Sequence, residues 1–314
     1  MGEWSKKIGE YGEDIVEIFL AAIGWKNLQK GVDISCTLNE KHINKNGNPR
    51  ISHGIDFIYS YKSPLVSGTL NNIIISSKFK SEKYPNNPVP KFKEYYDDLA
   101  VAIECFSLSD KRNEISSGFN NYSKVNDIGL LFWLNNDPNS NDDLIMSISS
   151  ARMRDDYSVD TIYIVDNKRI MFMTDVIKFI KSEFAEFNFS FYYPNTGQNV
   201  SPIERENTGK YLPIEYINSS LIPIKLQHKD HTKEVYFMLF CIDSFDKDDL
   251  KRIIGISKDI STNIASKVYI CFSDYNELQH ENDVNQIKQQ FQDTEFSSTV
   301  YVKNFRSQFL NKIL

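Results

Sequence analysis

Two short stretches hold the residues with the clearest chemical potential. Asp56 interrupts an apolar run in H-G-I-D-F-I-Y (residues 53–59). Lys78 closes another in N-N-I-I-I-S-S-K-F-K (residues 71–80). Residues 55–61 and 72–79 are rich in β-branched and aromatic side chains, and Ser63-Pro64 and Ser67-Gly68 break the chain between them. Both therefore read as strands, paired as hairpin neighbours. Alternate residues of a strand share a face, so Ser76, Lys78 and Lys80 follow Ile74. Neighbouring strands lie ~5 Å apart, close enough for an acid on one tip and a lysine on the next to converge. A carboxylate with a backbone carbonyl suits Mg²⁺, a hard cation that prefers oxygen ligands. A lysine beside it can orient or deprotonate a water and stabilise negative charge as it develops. Together these are minimal parts for phosphodiester hydrolysis.

The surrounding pattern has to position those tips. Residues 9–24 read as a helix, with Ile15, Val16, Phe19, Ala22 and Ile23 as a buried stripe and Glu10, Glu13, Asp14 and Glu17 as an acidic face. Gly24 is placed to end it. A strand is expected over 32–38 and a polar loop over 39–52. Pro85, Pro88 and Pro90 mark a loop before a helix over 91–106. The fully apolar run 128–134 suits a strand covered on both faces. A helix over 144–153, a strand over 161–165 and a helix over 173–187 complete an α/β pattern.

The order of an acid-bearing helix (Gly9-Glu10-Tyr11-Gly12-Glu13), Gly54-Ile55-Asp56 on one strand and Ile73-Ile74-Ile75-Ser76-Ser77-Lys78 on the next resembles the PD-(D/E)XK phosphodiesterase superfamily. The flavour is that of Mrr-type nucleases, and the resemblance covers about residues 9–135. It implies a restriction-endonuclease-like core, a mixed sheet flanked by helices. It also implies a metal-dependent nuclease, with DNA as the expected substrate and bacterial anti-phage defence or restriction as the setting. Carried over by position, Asp56 is the main metal ligand, Lys78 the motif lysine and Ser77 the donor of a backbone carbonyl. Glu13, or Glu17 one turn later, is the helix acid. The implied cofactor is Mg²⁺ or Mn²⁺. Ser76 departs from the pattern, because most members carry Glu, Asp or Gln there. A neutral hydroxyl lowers the charge of the site, and it keeps open an alternative: a nuclease-fold module that only binds nucleic acid or a partner subunit. The bland readings are a turn aspartate at Asp56 and edge-strand lysines at Lys78 and Lys80.

Lys80, Lys83, Lys91 and Lys93 gather near these tips, interleaved with Tyr84, Tyr95 and Tyr96, and form a candidate phosphate-binding rim. The whole chain of 314 residues carries a net charge of −6, which argues against a general nucleic-acid coat but not against a local basic groove. The four cysteines are widely spaced and suggest neither a zinc motif nor a disulfide framework. A cytoplasmic protein without a membrane span is expected. Phosphate loops of the G-x-x-x-x-G-K-[ST] and G-x-G-x-x-G types and a G-x-S-x-G elbow are absent. His228 and His231 fall in an expected hairpin turn.

The polar stretch 194–213 reads as a linker, which leaves a nuclease-like domain over 1–193 and a smaller α/β domain over 214–314. In the latter, a hairpin (221–226 and 235–242), a helix (247–260), a strand (268–272), a helix (283–291) and a strand (299–302) are expected. Partner binding, target recognition or self-association, including a homodimer, is its expected role.

Overall fold

The computed structural model describes residues 2–44, 46–137, 143–199, 205–261 and 264–306. The chain divides into two compact units, Met1–Met171 and Phe172–Leu314. The first opens with helix α1 (Gly2–Ala22), followed by strands β1 (Gln29–Ser35), β2 (Ser52–Lys62) and β3 (Thr69–Lys80). Helices α2 (Val89–Ser107) and α3 (Asp110–Ser117) lead to β4 (Lys124–Asn135), the short helix α4 (Leu144–Ile148) and β5 (Ile162–Val165). The five strands form one sheet in the order β1-β2-β3-β4-β5. The β1–β2 and β2–β3 pairs are antiparallel, whereas β3–β4 and β4–β5 are parallel. The parallel β3–β4 pair requires a crossover, and α2 and α3 supply it.

The isoleucines that mark β3 in the sequence are buried completely, as expected of a central strand with helices on both faces. On one face α1 packs through Phe19 against Phe132, with ring centroids 5.8 Å apart. On the other face α2 packs through Tyr95 against Trp133, edge to face at 5.3 Å. Ile58, Ile74 and Leu131 join that second core with Leu99, Ala102 and Phe106 of α2. Gly24 stands just past the end of α1 with φ of 90°, a conformation that a side chain would disfavour, and so stops the helix as expected. The expected helix over 144–153 is shorter, because Asp143 caps only one turn and a half before the chain leaves at Ser149.

Helix α5 (Asn167–Glu183) crosses the division between the units. The second unit continues through β6 (Phe187–Tyr192), β7 (Thr208–Gly209), β8 (Leu221–His228), β9 (Val235–Cys241), α6 (Lys247–Ser261), β10 (Lys267–Phe272), α7 (Glu277–Gln289), α8 (Thr294–Ser298) and β11 (Val300–Asn304). Its six strands are ordered β11-β10-β9-β8-β6-β7. The division therefore falls before the polar stretch 194–213 and not within it. The physical reason is that β6 pairs with β8, and β7 with β6, so Phe187–Tyr192 and Thr208–Gly209 belong to the second sheet. Residues 200–204 of that stretch lie outside the described residues. The hairpin expected near 221–242 is present as β8 and β9.

Candidate active site

The decisive local feature is where the β2–β3 ladder stops. It runs from Lys62↔Leu70 to Phe57↔Ile75 and goes no further. Beyond that point β2 stays paired with β1 down to Ser52, and β3 stays paired with β4 up to Lys80. The two strands thus splay at Asp56, and among the described residues no strand pairs with the β2-facing edge of β3 over Ser76–Lys80. Asp56 bridges the mouth of this split: its Oδ2 accepts a hydrogen bond from the Ser77 backbone N–H at 2.6 Å. In an extended strand the N–H and C=O of one residue leave the same edge. The Ser77 carbonyl is therefore directed to the Asp56 side as well. Asp56 and the main chain of Ser77, both singled out in the sequence, meet here.

The electrostatics describe an acid-rich mouth. Burial pushes the Asp56 carboxyl above its ordinary range, against the pull of the Ser77 N–H, the Lys78 ammonium and the Ser76 hydroxyl. Glu13 of α1 is raised too, by desolvation first and then by repulsion from Asp56, with Lys78 acting in the opposite sense. Glu13 and Asp56 therefore share one field. Glu17 does not join them, because its carboxylate is taken by Lys30 of β1 at 2.5 Å. Ser76 is buried, at 8 % exposure, and its hydroxyl acts to lower the Asp56 pKa against the effect of burial.

Helix α1 reaches this point because Gly12 lies flat against β3. A Cβ at Gly12 would stand 2.3 Å from Cβ of Phe79. Tyr11 packs edge to face on the Phe79 ring at 5.4 Å. This close approach carries the next residue, Glu13, to the strand tip.

Lys78 is held on the α2 side. Its ammonium lies 3.5 Å from Asp98 Oδ2 and 5.8 Å from the centre of the Tyr95 ring. Asp98 in turn accepts from Arg50 Nη1 at 2.8 Å. Charges alternate along the line Arg50, Asp98, Lys78, Asp56. Burial alone would raise the Asp98 pKa, but the Arg50 hydrogen bond and then Lys78 outweigh it and hold the carboxyl below its ordinary value. Asp98 and Arg50 were missed in the sequence. The available signal was an acid on the apolar stripe of α2, where Asp98 falls between Tyr95 and Ala102. Arg50, Lys78, Tyr95 and Asp98 line one cleft of about 610 Å³.

The expected basic rim is only partly assembled. Lys80, Lys83 and Lys91 line a second cleft of about 420 Å³ with Tyr84, Tyr95 and Trp133. Lys83 is 3.4 Å from Asp137, and Lys91 is 2.7 Å from Glu94 and stacked over Tyr95 at 4.8 Å. Lys93, on the same helix, is not part of the lining. In the second unit His228 and His231 lie with ring centroids 4.8 Å apart at the β8–β9 turn.

A family model described as the GAPS4 protein PD-(D/E)XK nuclease domain matches residues 1–169. The chain belongs to that family. No curated protein and no solved structure gives a match to the chain. The GAPS4 nuclease-domain match covers every element of the split strand pair: α1, β2, β3, α2 and β4. The restriction-endonuclease-like expectation for the core accordingly stands, as a mixed sheet with helices on both faces.

The donor set fits a divalent cation. Asp56 lies against the Ser77 main chain and interacts electrostatically with Glu13, and the carboxylates and the main-chain carbonyl are all hard oxygen donors. Among the described residues no helix is long and apolar enough to cross a membrane.

Proposed function

We propose that this chain is a metal-dependent nuclease that hydrolyses the phosphodiester backbone of DNA, acting in bacterial anti-phage defence. The observation that carries the reading is the splayed strand pair, with Asp56 facing the free edge of Ser76–Lys78 beside Glu13. Asp56, the Ser77 carbonyl and Glu13 would hold Mg²⁺ or Mn²⁺. When bound, the ion supplies Lewis acidity toward a phosphoryl oxygen and lowers the pKa of a bound water. The chain's own groups do the rest. The Ser77 N–H fixes Asp56, so that its remaining lone pairs face the mouth. Lys78 orients the attacking water and places positive charge where the phosphate oxygens gain negative charge. Asp98 and Arg50 hold the lysine chain against α2, which limits its rotamers. Lys80, Lys83 and Lys91 offer a cationic path for the strand on either side of the cut.

One observation favours a second reading. Ser76 stands where most members of the resembled superfamily carry Glu, Asp or Gln, so the centre has a neutral hydroxyl at that position. A module on this fold that binds nucleic acid or a partner subunit without cutting it would tolerate that replacement. Supercoiled plasmid and a structured RNA, incubated in parallel with Mg²⁺, Mn²⁺ or excess EDTA, separate the readings. The nuclease reading expects metal-dependent conversion of the plasmid and intact RNA. Retardation of the plasmid without scission in either metal supports the binding module. Cleavage of RNA alone would refute the choice of DNA.

A further inference from the structure

The cysteines and histidines of the first unit, unremarkable by spacing, converge in space. Cys36 follows β1, His42 lies in the loop to β2, His53 is in β2 and Cys105 is near the end of α2. One ligand atom from each lies within 4.8 Å of all the others. We propose that these four side chains bind a Zn²⁺ ion in a closed, structural Cys2His2 site that shares no ligand with the nuclease centre, although His42 lines the same cleft as Lys78.

The distances have the proportions of a tetrahedron. Zn–S bonds of ~2.3 Å and Zn–N bonds of ~2.1 Å at tetrahedral angles put sulfur ~3.8 Å from sulfur and ~3.6 Å from nitrogen. Cys105 Sγ and Cys36 Sγ are 3.8 Å apart. His42 Nδ1 is 3.4 Å from each sulfur. Three vertices therefore stand at the required separations. The fourth comes from His53, whose ring packs edge to face on that of His42 with centroids 5.3 Å apart. His53 is 3 % exposed, and both of its ring nitrogens are buried without a hydrogen-bond partner among the described residues. A buried imidazole with neither nitrogen satisfied is costly unless something takes a lone pair, and a metal ion does so.

The surroundings of His42 supply a further sign. Its Nε2 meets Glu104 Oε2 at 2.9 Å, a contact that leaves Nδ1 facing the sulfurs. Metal-ligating histidines commonly give their other nitrogen to a carboxylate in this way. Glu104 is itself buried, and Lys41 Nζ at 2.7 Å and the Ser158 N–H at 2.7 Å hold it in place. Charge also balances. Two thiolates neutralise Zn²⁺, the two thiol protons pass to solvent on binding, and Lys41 offsets Glu104. A disulfide between Cys36 and Cys105 would leave both His53 ring nitrogens unsatisfied.

Four protein ligands leave no open position, so the ion would be structural. It would tie the loop between β1 and β2 to helix α2. That loop includes Arg50, whose backbone N–H donates to the His42 carbonyl at 2.8 Å. Glu104 acts as a positioning residue for the site.

The test is metal content by mass spectrometry on tag-free protein, purified under reducing conditions without chelator, followed by replacement with Co²⁺. We expect about one zinc per chain, and a Co²⁺ spectrum with tetrahedral d–d bands and a thiolate charge-transfer band. The wild-type readouts do not depend on any variant folding. Asp56→Ala should keep its zinc, and a Cys36→Ser/Cys105→Ser double variant should lose it. Glu104→Gln should bind zinc ~10–100-fold more weakly in competition with a chelating dye. Zinc far below one per chain with no thiolate band from Co²⁺ overturns the proposal. So does zinc retained by the double variant, or a Cys36–Cys105 disulfide in the wild-type protein.

Discussion

The closeness of Gly12 to Phe79 leads to a sharp prediction. A methyl group at residue 12 would stand 2.3 Å from Phe79 Cβ, 3.0 Å from Cγ and 3.6 Å from Cα. The optimum between carbons is ~3.5 Å or more, so the first contact is about 1.2 Å too short. The obstructing atom is the Cβ of a strand residue, which no rotamer change can move. Either α1 lifts or the tip of β3 shifts, by about an ångström. Overpacking of this kind costs ~1–3 kcal/mol, partly offset by the ~1 kcal/mol by which Ala exceeds Gly in helix propensity. Gly9 is the internal control: it lies on the same helix, is exposed, and has nothing within 4 Å of the place a methyl group would take. Gly9→Ala should therefore stabilise by ~0.5–1 kcal/mol. The two variants should differ by several degrees in melting temperature, since 1 kcal/mol is worth ~2–4 °C in a domain of this size. Activity should separate them further. Displacing Glu13 by about an ångström from Asp56 is expected to cost on the order of 100-fold in cleavage rate, whereas Gly9→Ala should cut as wild type does. Equal melting temperatures and equal rates for the two variants would refute the close packing of α1 on β3 and its role in presenting Glu13.

Two more predictions concern the charges around the site. Asp98 has a folded pKa below its ordinary value near 3.8. Its contribution to stability is therefore complete above that ordinary value and is lost as pH falls through the lower folded pKa. Asp98→Asn should melt below wild type at pH 7, by on the order of 1 kcal/mol given that the side chain is 43 % exposed. The two melting curves should converge in strong acid, and a gap that persists there would contradict the Arg50–Asp98–Lys78 arrangement. For the basic cleft, a Lys80→Ala/Lys83→Ala/Lys91→Ala variant should bind duplex DNA more weakly. Its slope of log K against log salt should be shallower by up to ~0.9 for each phosphate no longer neutralised. Lys93→Ala should leave that slope almost unchanged, and an equal effect from Lys93 would move the nucleic-acid path away from the cleft.

How far these features were legible in the sequence depended on how local their physics is. The Asp56–Lys78 relation was readable because an apolar strand that ends in Ser76-Ser77-Lys78 has to leave the core, and the short connection between the strands fixes their pairing. The buried β3 and β4 were readable from uninterrupted apolar runs. Glu13 and Glu17 could not be separated, because both sit on the acidic face of α1; the choice rests on the Gly12–Phe79 contact and on Lys30, which belong to tertiary packing. Asp98 meets Arg50 and Lys78 only once α2 is laid across the sheet. The His/Cys cluster was opaque for the same reason, since Cys36 and Cys105 lie 69 residues apart. The extent of the second unit was missed differently. Phe187, Phe189 and Phe191 alternate with polar residues over F-N-F-S-F-Y, a strand period that the polar stretch beyond it masked.

The most direct test of the central claim is cleavage of supercoiled plasmid in Mg²⁺ or Mn²⁺ by the wild-type chain, Asp56→Ala and Lys78→Ala, each shown to be folded by its circular dichroism spectrum. The expected result is metal-dependent nicking and linearisation by wild type, reduced at least ~100-fold in both variants. Undiminished cleavage by either variant would contradict it, because the split between β2 and β3 would then not be the place where the phosphodiester is cut.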